Sequence, residues 1–116
     1  MQEKDVIGEI GEREGRAHLR RSGLRVVESN YRCPAGEIDI VAQERGVWVF
    51  CEVKTRTGRA FGGPESAVDP KRYRRMRRVA QWYMLQRGIT GAVRIDLIGV
   101  TIFDSEAPSI LHVRGI

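Results

Sequence analysis

Apolar and polar positions along the chain change their spacing several times, and each change marks a predicted element. From about Asp5 to Ser22 the apolar side chains recur at helical spacing, which predicts a first helix that Gly23 ends. Alternation with a period of two predicts strands. The predicted strands are Leu24 to Tyr31, Glu37 to Gln43, Val47 to Thr55, a fourth around Val93 to Leu97, and a fifth, edge strand at Ile110 to Val113.

The second predicted helix begins and ends at strong local signals. Asp69 is a good N-cap and Pro70 suits the first helical position, while Arg87 and Gly88 supply a basic last turn followed by glycine. A glycine-rich loop from Thr57 to Pro64 precedes it. The resulting order, α-β-β-β-α-β with an optional last strand, predicts an α/β fold with a mixed sheet.

Length and composition favour one domain, covering residues 1–116. A chain of 116 residues matches the usual size of a compact domain, and no repeat or linker divides it. No apolar run approaches the roughly 20 residues of a membrane span, and the N-terminus lacks a signal-peptide pattern, so we expect a cytoplasmic protein. Cys33 and Cys51 do not suggest a disulfide framework, and we interpret His18 and His112 as ordinary structural or surface residues.

The second and third strands form a predicted hairpin whose register can be counted. A two-residue loop at Arg45-Gly46 would pair Glu44 with Val47. One face of this hairpin is then wholly apolar and should pack on a helix. That face consists of Ile38, Ile40, Ala42, Val47, Val49, Cys51 and Val53.

The other face of the hairpin carries charge. The same register places Asp39 opposite Glu52 and Glu37 opposite Lys54. Facing carboxylates repel each other, so a bound proton or a hard divalent cation is needed to relieve the repulsion. The alternative is a surface charge network, in which Glu37 pairs with Lys54 and Asp39 pairs with Arg56.

Charge indicates an anionic partner. The net charge is +5 and the sequence pI is about 9.8, which favours nucleic acid among anionic partners. One outward stripe of the second helix is basic, whereas Tyr73, Met76, Ala80 and Tyr83 form the opposing apolar stripe. The basic stripe consists of Lys71, Arg74, Arg75 and Arg78.

Two interpretations of that stripe remain open. It either contacts phosphates or is a solvated helix face. Trp82, on the same side, either stacks on a base or packs at the helix end or a subunit contact. Arg32 and Arg56 flank the carboxylates and are candidates to hold phosphates, with Arg59 a weaker one.

An ordered series of short motifs resembles the YraN-like family of uncharacterised bacterial proteins. The resemblance runs from about Gly8 to Val100. Its motifs are Gly8-x-x-Gly11-Glu12, Leu19, Gly23, Asn30-x-Arg32, Gly36-Glu37-Ile38-Asp39, Glu52-Val53-Lys54-x-Arg56, Phe61-Gly62-x-Pro64, Ala67-Val68, Lys71 and Arg94-x-Asp96. That family is similar in core to the PD-(D/E)xK nuclease superfamily, which implies a restriction-endonuclease-like αβββαβ fold.

The resemblance also implies residue roles. Asp39 and Glu52 are the implied metal-binding carboxylates, Lys54 the catalytic lysine, and Glu12 an added acidic catalytic and metal-binding residue. Lys71 matches a basic residue that some members carry on the helix after the third strand. Mg²⁺ or Mn²⁺ is the implied cofactor, and Glu37 would support the site by orienting Lys54.

Some positions depart from the pattern. Ile38 stands where the superfamily's name puts proline, Gly15 replaces an alanine, and Leu24 replaces an aromatic residue. The tail from His112 to Ile116 also differs, which puts any C-terminal contact in doubt.

The expected function is hydrolysis of phosphodiester bonds in DNA, including branched or repair intermediates, with RNA as an alternative substrate. A homodimer is expected because so small a chain has little surface with which to grip DNA. The rival hypotheses are a nucleic-acid-binding module without significant cleavage and an interaction partner of a DNA-processing complex.

Overall fold

The described part of the chain forms two helices and five strands in the predicted order. The computed structural model describes residues 3–58 and 69–116. In chain order the elements are α1 (Glu3–Arg21), β1 (Arg25–Cys33), β2 (Gly36–Glu44), β3 (Val47–Thr57), α2 (Pro70–Gln86), β4 (Val93–Ile102) and β5 (Ser109–Val113). The α/β class is therefore confirmed, and so is the αβββαβ order of its core. Most of the predicted glycine-rich loop, with Arg59, lies outside the described residues.

The five strands form one mixed sheet in the spatial order β1-β2-β3-β4-β5. β3 and β4 are parallel, and the other three neighbouring pairs are antiparallel. The parallel pair follows from the connection between them, since α2 lies between β3 and β4 in the chain and carries it back to the same end of the sheet. β5 is an edge strand, as predicted.

The hairpin register is the one counted from the sequence. Glu44 pairs with Val47, and the recorded pairing continues to Ile40 opposite Cys51. Arg45 and Gly46 both have positive φ, 50° and 83°. A two-residue turn of this kind matches the twist of the strands that it joins, which explains why the count holds.

Two apolar clusters hold the helices on opposite faces of the sheet. The α2 cluster comprises Tyr31, Ile38, Val41, Phe50, Met76, Val79, Ala80, Tyr83, Met84 and Ile95. The α1 cluster comprises Leu19, Leu24, Ile40, Ala42, Val49, Cys51, Ile98 and Val100, with Val53 packed against it. The predicted apolar face is therefore correct except for Ile38, which lies on the α2 side. The alternation of β2 breaks at Asp39, because Ile38 and Val41 share a cluster although they are an odd number of residues apart.

Close packing of α1 depends on two of its three spaced glycines. A Cβ on Gly11 would collide with the side chain of Thr55, and one on Gly15 would lie 3.3 Å from Cγ2 of Val53. Gly8 has nothing within 4 Å of that position, so packing does not require a glycine there. Gly11 thus sets how near α1 can approach β3.

The start of α2 and its two faces agree with the predictions. The Asp69 side chain accepts hydrogen bonds from the N–H groups of Lys71 and Arg72, at 2.8 and 3.1 Å, and Pro70 opens the helix. Met76, Ala80 and Tyr83 are buried in the sheet-facing stripe, and Lys71, Arg74, Arg75 and Arg78 are exposed. In the described part of the chain, no helix is long and apolar enough to cross a membrane.

The C-terminal segment is tied to the sheet through Asp96. The N–H of Gly115 donates to Asp96 at 3.0 Å, and the N–H of Ile116 donates to the carbonyl of Ile95 at 2.9 Å. Nε2 of His112 donates to Asp96 at 2.7 Å, and its other ring nitrogen lies 3.1 Å from Nε2 of His18. The altered tail is therefore anchored, and His112 has the structural role that was predicted.

Candidate functional site

A cavity of about 540 Å³ opens between α1 and the outer ends of β2 and β3. It exists there because Gly11 allows α1 to lie close to Thr55 while Asp39 stands at the break in β2. Its lining is Ile7, Gly8, Glu12, Asp39, Val53, Thr55, Arg56 and Thr57. The structure thus brings three predicted site residues together, namely Glu12, Asp39 and Arg56.

Asp39 is the central acidic group of this cavity. Its Oδ2 accepts a hydrogen bond of 2.7 Å from the N–H of Val53. Burial raises the pKa of its carboxyl from 3.8 to about 6; the Val53 bond opposes this, whereas the charges of Glu12, Glu52 and Glu37 add to it. Burial and the neighbouring negative charges together therefore outweigh the Val53 hydrogen bond.

Glu12 faces Asp39 from the first helix. Burial raises the pKa of Glu12, although the charge of Arg16 and a hydrogen bond with Asn30 oppose the increase. Asn30 holds a left-handed backbone conformation with a φ of 55°, which asparagine tolerates better than most residues. Sequence reasoning missed this contact, and its only signal was the presence of Asn30 in the Asn30-x-Arg32 motif.

Glu52 reaches the other side of the site. Its Oε2 is buried and has no hydrogen-bond partner in the described residues, although Nη1 of Arg72 lies 3.4 Å away in an ion pair. Asp39 lines the cavity beside α1 whereas Glu52 pairs with Arg72 of α2, so the two side chains do not share one face as predicted. They remain close, because the charge of Glu52 still raises the pKa of Asp39. Arg72 was not predicted as a site residue. The signal available in the sequence was that Arg72 does not belong to the outward basic stripe of α2.

The charges around Lys54 differ from the expected network. Glu37 pairs with Arg32, its neighbour on β1, with Nε and Oε2 at 3.2 Å. The predicted contact of Glu37 with Lys54 is therefore replaced by a pair between exposed side chains. Within the part of the chain that the structure describes, Lys54 forms no ion pair.

The described residues contain no group of three or more His, Cys, Asp or Glu side chains placed to hold one ion. Magnesium in phosphate-processing sites is commonly held by one or two carboxylates, with water and substrate phosphate completing its shell. Asp39 with either Glu12 or Glu52 supplies that number of hard oxygen donors. Oε2 of Glu52 accepts no hydrogen bond from the described residues and is a further oxygen donor, although it forms the ion pair with Arg72. The donor set therefore fits a hard divalent cation.

A basic surface continues from this site along α2. Arg32 and Arg75 line one cavity of about 440 Å³ at the turn between β1 and β2. Arg75 packs over Gly36, where an added Cβ would lie 3.3 Å from its Cδ. The structure thus brings together Arg32 from the end of β1 and Arg75 from the exposed stripe. Guanidinium groups so placed suit phosphate oxygens.

Fold and site together define an α/β protein with an αβββαβ core and an acidic cavity where β2 and β3 separate. The sequence model of the Uncharacterised protein family UPF0102 matches residues 11–100. The chain belongs to this family, which confirms the predicted YraN-like resemblance.

Relatives in several bacteria share most of the chain. A UPF0102 protein of Streptomyces griseus subsp. griseus is 42% identical over 118 residues, covering 100% of this chain and 99% of that protein. One of Mycobacterium avium (strain 104) is 45% identical, covering 95% and 88%. One of Moorella thermoacetica is 47% identical over 94 residues, covering 80% and 78%.

Proposed function

We propose that this protein is a metal-dependent nuclease that hydrolyses phosphodiester bonds in DNA. The observation that carries the proposal is the environment of Asp39. Its carboxylate is held on the Val53 N–H with Glu12, Glu52 and Glu37 as acidic neighbours, and its pKa is raised to about 6. A raised pKa in a cleft is typical of functional sites, because a fold gains no stability from an uncompensated buried charge.

The proposed cofactor is Mg²⁺ or Mn²⁺, held by Asp39 with Glu52 and with Glu12. A divalent cation at such carboxylates neutralises charge on the phosphate and makes water a better nucleophile. The Val53 N–H keeps Asp39 aimed into the cavity. A cation could bind to Asp39 without breaking this hydrogen bond, because the bond uses only one of the two carboxylate oxygens.

The cationic side chains have distinct proposed roles. Lys54 holds its ammonium group near the acidic site and stabilises negative charge that develops on the phosphate. Arg32, Arg56 and the exposed stripe of α2 hold flanking phosphates of the nucleic acid. The stripe consists of Lys71, Arg74, Arg75 and Arg78, as above.

A binding module without cleavage is the second candidate. The exposed basic stripe and the cavity between Arg32 and Arg75 favour it, since both would bind a phosphate backbone without any cation. The two candidates differ in the role of Asp39. A protein that only binds nucleic acid needs neither an acidic cavity nor an unpaired lysine.

Cleavage assays separate these candidates. Purified protein is incubated with branched, duplex and single-stranded DNA, and with RNA, in Mg²⁺, Mn²⁺ or chelator. We expect metal-dependent cutting of DNA that falls at least a hundredfold in Asp39→Asn and in Lys54→Met. Undiminished cutting in both variants would disprove the site, and salt-dependent binding without cutting would establish the module.

A homodimer is also part of the proposal. Light scattering of the free protein and of its DNA complex measures it directly. A monomer in both states would contradict this expectation without affecting the cleavage site.

A further inference from the structure

The outward stripe of α2 changes chemistry halfway along the helix. Lys71, Arg74 and Arg78 continue at helical spacing into Trp82 and Leu85. Trp82 is 42% exposed and Leu85 81% exposed. A phosphate backbone offers nothing to two exposed apolar side chains, so the proposed DNA contact of the basic half does not explain the apolar half.

A cavity lies beside these residues. It has a volume of about 460 Å³, within the roughly 300–1,000 Å³ range of ligand pockets. Its lining is Arg77, Ala80, Gln81, Met84, Leu85, Ile89, Thr90, Gly91 and Val93. A second cavity of about 360 Å³ shares Gln81 and Leu85 and adds Trp82 and Gln86. The two cavities adjoin at Gln81 and Leu85, and we name them together the α2 groove.

The charged side chains described at the α2 groove are positive. Among the residues that the structure describes, Arg77 is the charged residue in its lining, and the linings of both cavities include no carboxylate. Arg74 and Arg78 are exposed on the neighbouring turns. The nearby Arg87 already pairs with Glu28 at 2.7 Å, so that carboxylate does not neutralise the groove. An occupant should therefore combine apolar side chains with negative charge.

A second copy of this chain does not meet that requirement. A symmetric dimer places the same patch of each copy against the other. Arg74, Arg77 and Arg78 of both copies would then lie at one interface, in a protein whose net charge is +5. Like charges brought together at an interface cost free energy, so charge complementarity favours a different protein.

We propose that the α2 groove is a docking site for a short acidic segment of a partner protein, one that inserts apolar side chains between flanking carboxylates. The apolar side chains cover Leu85 and Trp82 and enter the cavity over Ala80 and Met84. Carboxylates of the segment pair with Arg77 at the rim. The surface lies apart from Asp39, and the proposal does not depend on the nuclease activity.

Fluorescence anisotropy tests this proposal with labelled synthetic peptides. The probe is a Leu-Phe pair flanked by glutamates; one control peptide carries glutamines instead and another carries serines in place of the Leu-Phe pair. We expect saturable, salt-sensitive binding of the probe and weaker binding of both controls. Because a buried leucine contributes roughly 1.5–3 kcal/mol, Leu85→Ser should weaken binding at least tenfold. Arg77→Gln should weaken it less and reduce the salt dependence.

The matched control variant is Leu111→Ser, which removes another exposed leucine, 47% accessible, on β5. It should leave the affinity for the probe unchanged. Failure of the probe to bind, or equal losses in Leu85→Ser and Leu111→Ser, would overturn the proposal. A dimer that Leu85→Ser dissociates would assign the groove to a second copy instead, and loss of duplex DNA binding in that variant would assign it to nucleic acid.

Discussion

Asp39 and Asp96 lie on β2 and β4, on either side of β3, in opposite electrostatic environments. Burial raises the pKa of Asp39 to about 6, with three other carboxylates adding to the effect. Burial also acts to raise the pKa of Asp96, which is 0% exposed, but hydrogen bonds from His112, Arg94 and Gly115 outweigh it and lower the pKa to about 2. One buried carboxylate is fully partnered and the other is not.

The difference distinguishes Asp96, whose charge has a structural role, from Asp39, whose charge has the proposed functional role. Arg94 donates to Asp96 through Nε and Nη2, at 2.9 and 3.0 Å, and continues to Glu44 at 2.8 Å. This network fastens the C-terminal segment and leaves Asp96 no capacity for a ligand. Asp39 has one hydrogen bond and acidic neighbours, so a cation would satisfy it better than the protein does.

The largest expected effect is on Asp96. Asp96→Asn should lower the free energy of unfolding by about 3–5 kcal/mol, because it removes the charge that balances Arg94 and replaces one of the two oxygens on which Arg94, His112 and Gly115 converge with an NH2 donor. Urea denaturation measures this change. Asp39→Asn is the matched control, with the same chemical change on a neighbouring strand. A smaller loss in Asp96→Asn than in Asp39→Asn would reverse the comparison.

The second effect has the opposite sign. With chelator present, at a pH above 7, Asp39→Asn should raise the free energy of unfolding by up to about 3 kcal/mol, which corresponds to the rise in pKa from 3.8 to about 6. Asparagine keeps an oxygen that can accept the Val53 N–H. The stabilisation of the wild-type protein by Mn²⁺, measured as a shift in Tm, should be lost in the same variant. A destabilised variant would show that Asp39 contributes to the fold.

The third effect concerns the support of the cavity. Gly11→Ala should lower the free energy of unfolding by about 1–3 kcal/mol, because the new Cβ would collide with Thr55 and push α1 away from β3. In Gly8→Ala the new Cβ meets nothing within 4 Å. The free energy of unfolding should therefore rise by up to about 1 kcal/mol, because alanine has a higher helix propensity than glycine. Thermal unfolding of both variants checks the pair. Equal effects would mean that α1 does not rest on Gly11.

The smallest expected effect is on how the free energy of unfolding depends on pH. In the folded protein Asp39 holds its proton more tightly than in the unfolded chain, so its contribution to stability falls as pH rises from about 4 to about 6. The slope is at most about 1.4 kcal/mol per pH unit. Asp96 acts oppositely, since its contribution is complete above 3.8 and is lost as pH falls towards 2. Comparing wild type with Asp39→Asn between pH 4 and 7 isolates the Asp39 slope.

Local sequence determined the elements and much of the site. Asp69-Pro70 and Arg45-Gly46 act through contacts with their own neighbours, so the start of α2 and the hairpin register could be read without the fold. The exposed basic stripe of α2 followed from helical spacing alone. The resemblance identified the family and singled out Asp39, Glu52, Lys54 and Glu12.

Only the tertiary structure decided how those carboxylates are partnered. Alternation predicts faces only while a strand stays regular, and the break at Asp39 moved Ile38 to the α2 side and placed Asp39 in the cavity beside α1. Hydrogen bonds between residues distant in sequence, such as His112 with Asp96, leave no local pattern. The sequence by itself thus placed acidic residues on the strands, whereas the fold decided which one is neutralised and which one remains available to a cation.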